Sequence, residues 1–434
     1  MSWFRKKIEH SGVVFLDQPG QPKPEMFHEL ARCGIDVNPG KPGRDVLWSL
    51  ELRHPEWGDA VLECMSNFEA PGLDDLAMVS NLTKTEIGDF GRARSWLALR
   101  HGASAGHLLR DRKRFLRFAF AALSDKGPGI KDMLSGGYWS KCALEEELSH
   151  DADLDVDHLF VIHAVQDEDD PDAVVWAHTH GLSELGHFDV DVLSPSGDTC
   201  SARHEFFRTV AAAVLEETAR CDGEPVSLFR PGGPVRFVSA RRFLAQARPG
   251  HTAAYSKLLT DTHLHGHAVA CEPGPGFAGR LLRGSGPRPC RWLSQPWAEE
   301  GMCFHSPGMT GLMAERARAT MGLFNAWRAE FAPFDPRGLV KIGYETDGDP
   351  QHAEHLWFEV HGIEDDRVDA TLLNEPYDIS RMRANERGWH ALERLTDWSI
   401  MLPFGQLTPR SLPFARTIRE NRGVILEAMK KSGA

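Results

Sequence analysis

One stretch, W-A-H-T-H-G-L-S-E-L-G-H-F-D-V-D-V-L from Trp176 to Leu193, constrains the fold of this chain more than any other. Val174–Trp176 reads as the end of a buried strand. His178–Gly186 reads as a turn, or one helical turn closed by glycine, and Phe188–Leu193 as a second strand. The alternation puts Phe188, Val190 and Val192 on one face and Asp189 and Asp191 on the other. Three histidines and two carboxylates thereby crowd one end of a sheet, and no other stretch offers as much material for a site.

At 434 residues the chain is too long for one ordinary core, so two or three domains are expected. With 41% hydrophobic and 26% charged residues it has the makeup of a globular protein, not of a disordered or fibrous one. A net charge of -13 argues against a broad nucleic-acid or anionic-membrane surface, since such partners are held by clustered Lys and Arg. The local basic run Arg110-Asp111-Arg112-Lys113-Arg114 reads as the exposed face of the helix it opens. The N-terminus, M-S-W-F-R-K-K-I-E-H, has no apolar core after its charges. No window approaches the roughly eighteen apolar residues of a membrane span, so a cytoplasmic location is expected. The 8 cysteines form no C-x-x-C pair, which leaves reduced, mostly buried thiols as the expectation.

Along the chain, Pro24–Cys33 is a short helical pattern stopped by Gly34. Val46, Trp48, Leu50 and Leu52 alternate as a strand, with Ala60–Cys64 and Arg94–Arg100 as partners. Phe115, Phe118, Ala119 and Ala122 recur at helical spacing over Arg112–Ser124, a core face. Two acidic stretches, Glu145–Asp157 and Asp167–Asp172, flank the apolar strand His158–Val165. The first fails as a calcium loop because Val156 and Ile162 occupy its glycine and glutamate positions. A solvated turn and a charged hairpin tip are expected instead. Ser201–Arg220 and Thr310–Phe331 carry helical apolar stripes, and Glu272–Pro296 is rich in glycine and proline, hence loops. Leu339–Tyr344, His355–Gly362, Val368–Leu373 and Trp398–Leu402 read as strands, and Arg416–Met429 as a closing helix. Trp357 and Trp398, each in an apolar strand, are expected to share one core.

The blocks Val340-Lys341, Glu354-His355-Leu356-Trp357, Leu372-Leu373-Asn374-Glu375-Pro376 and Asp397-Trp398 resemble the bacterial family known as domain of unknown function 2314. Trp139-Ser140, the strand Leu159–His163 and Trp176-x-His178-Thr179-His180-Gly181-Leu182 followed by Gly186 resemble the larger proteins of domain of unknown function 4026. There, such a module sits at the C-terminus. The resemblance implies a bacterial, intracellular protein and lends no catalytic residues.

For chemistry, His178 and His180 at i and i+2 on a strand point to one side, so both imidazoles could reach one divalent cation. His187 or Asp189 would complete the shell. A turn whose imidazoles bond backbone carbonyls gives the same residues and is the favoured reading, so no metal is favoured and zinc or another divalent metal is the alternative. Asp261-Thr262-His263-Leu264-His265-Gly266-His267 resembles the metal motif that opens amidohydrolase barrels, but weakly apolar residues precede it and loops follow. A local histidine-rich loop is expected. No G-x-S-x-G elbow occurs, and Glu272–Gly276 carries prolines where a phosphate cradle needs free N–H groups.

These observations predict an α+β protein of antiparallel sheets covered by helices, with a small C-terminal β-rich module. Residues 1–307 would form the N-terminal part, in one or two subdomains with a boundary near 150–200. A connecting helix would span 308–337 and the C-terminal module 338–434. The expected function is a binding or accessory protein with another protein as partner; by analogy with other bacterial families it would be immunity or defence associated. Its candidate binding residues are Trp176, His178, His180, Gly181, Glu184 and His187. The alternative is a metal-dependent hydrolase using His178, His180, His187 and Asp189.

Overall fold

Strands that alternate apolar and polar residues must each bury one face, and along this chain they do so in three successive sheets. The computed structural model describes residues 8–67, 69–77, 82–104, 106–166, 174–193, 200–230, 232–274, 286–294, 302–303, 306–349 and 352–432. The acidic stretch Asp167–Asp172 and much of the glycine- and proline-rich Glu272–Pro296 lie outside them.

The first sheet comprises β1 (Ile8–Leu16), β2 (Asp36–Pro39), β3 (Val46–His54), β4 (Gly58–Met65), β5 (Ser95–Ala103), β6 (Gly129–Asp132) and β7 (Tyr138–Ser140). Its order is β2-β3-β4-β5-β1-β6-β7. Two helices, α1 (Leu73–Ala77) and α2 (Lys84–Gly91), cover one face through Leu76 and Phe90, which pack with Phe15 and Tyr138. The other face carries α3 (Leu108–Ala122), whose Phe115, Phe118 and Ala119 meet Leu50, Leu62, Leu97 and Leu99. After it comes α4 (Lys141–Leu148).

The second sheet holds β8 (Val161–Gln166), β9 (Val174–His180), β10 (Asp189–Leu193), β12 (Arg236–Ser239) and β13 (His267–Cys271) in the order β12-β13-β10-β9-β8. Two short strands, β11 (Phe229–Arg230) and β14 (Met302–Cys303), pair apart from it. One face is apolar because Ala177, Val190, Val192, Ala268 and Ala270 alternate onto it, and α5 (Cys200–Leu215) lies there with Phe206, Phe207 and Val210. Over the other face run α6 (Ala240–Gln246), α7 (Pro249–Leu258) and α8 (Asp261–Gly266). The sheets are mostly antiparallel, as expected; the parallel pair is β10 and β13. A long crossover through α5 to α8 separates them, which is what a parallel neighbour requires.

In the third sheet, β15 (Arg337–Glu345), β16 (Ala353–Glu364), β17 (Arg367–Leu372), β18 (Arg387–Ala391), β19 (Leu395–Leu402) and β20 (Gly405–Leu407) take the order β18-β17-β16-β15-β19-β20. Three helices, α9 (Pro307–Ala319), α10 (Met321–Glu330) and α11 (Leu412–Ser432), close its inner face. The expected single helix is therefore two, broken at Thr320. There the hydroxyl donates back to the Arg316 carbonyl at 2.7 Å and accepts the Trp398 indole N–H at 3.0 Å, and such back-bonding bends a helix. Trp357 also faces the other way from the expectation. Leu356, Phe358 and Val360 are buried, so Trp357 lies on the outer face, with the Lys341 ammonium 5.5 Å from its ring centre.

Two charged stretches expected at the surface place some of their charges in the interior. Arg112 and Lys113 are buried, Arg112 against the Asp132 carboxylate and Lys113 donating to the His150 carbonyl at 2.6 Å. Within the acidic stretch, Glu147 receives both Arg316 guanidinium nitrogens, at 2.8 and 2.6 Å, and Asp155 receives Arg208 at 3.1 and 3.0 Å. The first pair joins elements of different sheets, α4 to α9; the second ties the segment before β8 to α5 within the second. Sequence periodicity reports none of this, because a buried ion pair is made of two residues that each look solvent-seeking.

The Glu147 cluster carries a pH dependence. Burial alone would raise the Glu147 carboxyl, but the charge and hydrogen bonds of Arg316 overcome it and bring the group to about 2. His150 beside it is lowered to about 4, mainly by burial. Both folded values lie below the unfolded ones, so the contribution is complete above about pH 6.5. It is lost as pH falls, first through the histidine range and then between about 4.5 and 2. Urea denaturation midpoints measured from pH 7 to 3 should fall steadily; a flat profile would remove these groups as determinants of stability.

Candidate functional site

The strand β9 runs on to His180, two turns of the alternation past Trp176, so the imidazoles of His178 and His180 belong to a strand and the turn begins only at Gly181. Parity then puts Trp176, His178 and His180 on the face covered by α6 to α8. Register sets His163 of β8 and Asp191 of β10 directly beside His178. Because α8 passes straight into β13, His263 and His267 arrive over the same place. The two histidine groups that are far apart in sequence therefore meet. Ring centres of His178 lie 5.3 Å from His163, 5.4 Å from His263 and 5.4 Å from His267, and those of His263 and His267 are 4.7 Å apart. His180 stacks on His163 at 5.5 Å, and Trp176 packs on His178 at 4.4 Å.

The two carboxylates have separate tasks. Asp191, fully buried, accepts the Trp176 indole N–H at 3.0 Å, the His267 Nδ1–H at 2.8 Å and the Tyr255 hydroxyl. Asp189 accepts the Thr179 hydroxyl at 2.8 Å and the backbone N–H groups of Leu182 and Ser183 at 3.1 and 3.2 Å. The turn is thus organised by Asp189, and among the described residues no hydrogen bond of the His178 or His180 ring takes part. Indeed His178 Nδ1 is buried without a hydrogen-bond partner.

These surroundings separate the imidazoles electrostatically. Burial, followed by the charges of His267, His163, His263 and His180, lowers His178 to about 2, so its ring is neutral. His163 and His263 are lowered too, chiefly by burial. Burial also pulls His267 down, but its hydrogen bond to Asp191 and that carboxylate's charge outweigh it and leave the ring above its ordinary value. Burial and Asp191 together push the Tyr255 hydroxyl far up.

Of the residues singled out from sequence, Trp176, His178 and His180 share the cluster. Gly181 shapes its edge: its φ is +133°, and a Cβ there would stand 2.3 Å from the Leu159 carbonyl oxygen. Glu184 is exposed on the 3-10 turn Ser183–Leu185. His187 is placed elsewhere, within electrostatic reach of Glu217 beyond α5. Asp189 is occupied by the turn, so the ligand set His178, His180, His187 and Asp189 is not assembled. The stretch Asp261–Gly266 is a helix where a loop was expected, and only its His263, with His267 after it, joins the cluster; His265 is exposed beside Arg241. Among the described residues, no three His, Cys, Asp or Glu side chains are set to hold a metal ion. His163 and Tyr255 went unnoticed in the sequence. His163 could have been found by pairing β8 with β9 as a hairpin, whereas nothing local marks Tyr255.

Gly181→Ala should destabilise the protein by at least about 2 kcal/mol, since a side chain is disfavoured at positive φ and the obstacle is backbone. Thermal denaturation would show it as a clear drop in midpoint, and an unchanged midpoint would mean that the turn is not held as described.

The comparisons agree with this layout. Residues 162–241, which run from β8 into α6, match the family described as "Protein of unknown function (DUF4026) C-terminal". Residues 313–405 match "Uncharacterized protein conserved in bacteria (DUF2314)". The two matches fall in that order along the chain. The first holds Trp176, His178, His180 and Asp191, while His263 and His267 come from beyond its matched boundary; the second is the β15 to β20 sheet with the helices before it. No curated protein and no solved structure matches the chain.

Proposed function

We propose that this is a binding or accessory protein whose ligand contacts the imidazole-lined end of the second sheet. The observation that supports this reading is His178: a buried, neutral ring with an unpartnered nitrogen, surrounded by other imidazoles and by Trp176. Buried polar atoms nearly always find a partner, and one left open beside a half-exposed rim of His180 and His263 suits a bound group. Its proposed setting is the cytosol with another protein as partner. No helix among the described residues is long and apolar enough to cross a membrane. An immunity or defence role rests on analogy alone, and no residue of the site bears on it. The hydrolase reading draws less support, because Asp189 is hydrogen-bonded within the turn and His187 lies within electrostatic reach of Glu217.

Mass spectrometry of protein purified without a histidine tag, under native and denaturing conditions, tests the binding reading. Wild type should retain an added mass natively that His178→Ala lacks. Equal, unliganded masses for both would sink it.

A further inference from the structure

A cleft of about 460 Å³ opens where the break between α9 and α10 faces the β16–β17 turn, and its walls are tied to one another. The Arg318 guanidinium at the end of α9 donates to the Leu395 carbonyl at 3.0 Å, and the Leu392 N–H donates to the Asp366 carbonyl at 2.8 Å. Helix, 3-10 turn and hairpin thereby form one rim. Every residue that lines the cleft falls within 313–405, so it belongs to the C-terminal matched segment and not to the imidazole-lined end of the second sheet. Met321, Ile363, Leu392 and Leu395 make an apolar floor, and three exposed carboxylates, Asp365, Asp366 and Glu393, stand around it. Because Glu364 pairs with Arg367, the turn between them is only two residues long and sets Asp365 and Asp366 side by side. Among the described residues no cation forms an ion pair with any of the three. Arg367 lies beside Glu364 and over the Trp389 ring, and Arg318 gives its Nη1 to the carbonyls of Glu393 and Leu395.

We propose that this cleft receives an arginine side chain of a partner protein. Such a side chain complements it in both respects: its aliphatic stem covers the apolar floor, and its planar guanidinium meets the carboxylates at the rim. The volume is in the range of ligand-binding clefts, but this one is open along one side. A small free amine would stay largely in water there, whereas a side chain carried by a larger partner needs only its tip enclosed. The net charge of -13 adds a field that draws basic partners toward the chain.

Full-length protein with isotope-labelled Ile, Leu and Met methyls reports binding directly, because Met321, Ile363, Leu392 and Leu395 carry such groups at the floor. In methyl NMR spectra a blocked glycine peptide with one arginine should shift these signals saturably, and the same peptide with glutamate should not. Asp365→Asn combined with Asp366→Asn should weaken binding about fivefold, and adding Glu393→Gln should bring the loss to about tenfold or more. Asp365 stands at φ +44°, a conformation that Asn accepts as readily as Asp, so the turn is kept, and unchanged methyl signals elsewhere check the fold. Added salt should weaken the wild-type complex. Free arginine, whose own carboxylate would meet the same three acids, should bind more weakly than the blocked peptide. No shift at the four methyls, equal affinity for the glutamate peptide, or undiminished affinity in the triple variant overturns the proposal. Free arginine bound as tightly as the peptide, or more tightly, would make the cleft a small-molecule site and overturn the assignment to a protein partner.

Discussion

Glu147→Ala should be among the most damaging single substitutions in this protein, costing about 3–5 kcal/mol, the usual loss when one member of a buried ion pair is removed. The carboxylate is fully buried and takes both nitrogens of Arg316 from another sheet's helix, with Lys113, His150 and His158 within 4.0 Å. Its removal leaves Arg316 and Lys113 as neighbouring buried positive charges without the carboxylate that offsets both. The double substitution Glu147→Leu with Arg316→Met should recover most of the loss, because it removes the stranded charge together with its partner. Urea denaturation of wild type, Glu147→Leu, Arg316→Met and the double variant provides the cycle. A cost below about 1 kcal/mol for Glu147→Ala would mean that water reaches the pair, in the range of surface salt bridges.

Trp398→Ala should cost about 3–5 kcal/mol, whereas Trp357→Ala should cost about 1 kcal/mol. Trp398 is fully buried among Phe324 and Trp327, and its indole N–H bonds the Thr320 hydroxyl that ends α9, so truncation opens a cavity and strands a helix break. Trp357 is only part-buried, on the outer face beside Lys341, and is outside the inner core that Trp398 fills. Comparable losses for the two would show that the outer face of the third sheet is covered and that its inward and outward rows are wrongly assigned.

The difference between these tryptophans marks how far the chain could be read before its fold was known. Local patterns determined the elements: the 3.6-residue spacing of Phe115, Phe118, Ala119 and Ala122 specified α3, and the period-two runs specified β3, β15, β16 and β17. The same rule determined that His178 and His180 share a side, since strand parity depends on nothing beyond the strand. Which side was core, as for Trp357, depended on register with a neighbour, and one residue of shift reverses it. The site was legible only in half. His178 and His180 were visible as a pair, but their companions His263 and His267 come from a helix and strand placed beside β10 by a long crossover, and no local signal encodes that placement. The buried charges were hidden for a related reason. Glu147, Asp155 and Arg112 read as solvent-facing because a charge is costly to bury alone, and only the tertiary structure brings each to the opposite charge that offsets its desolvation.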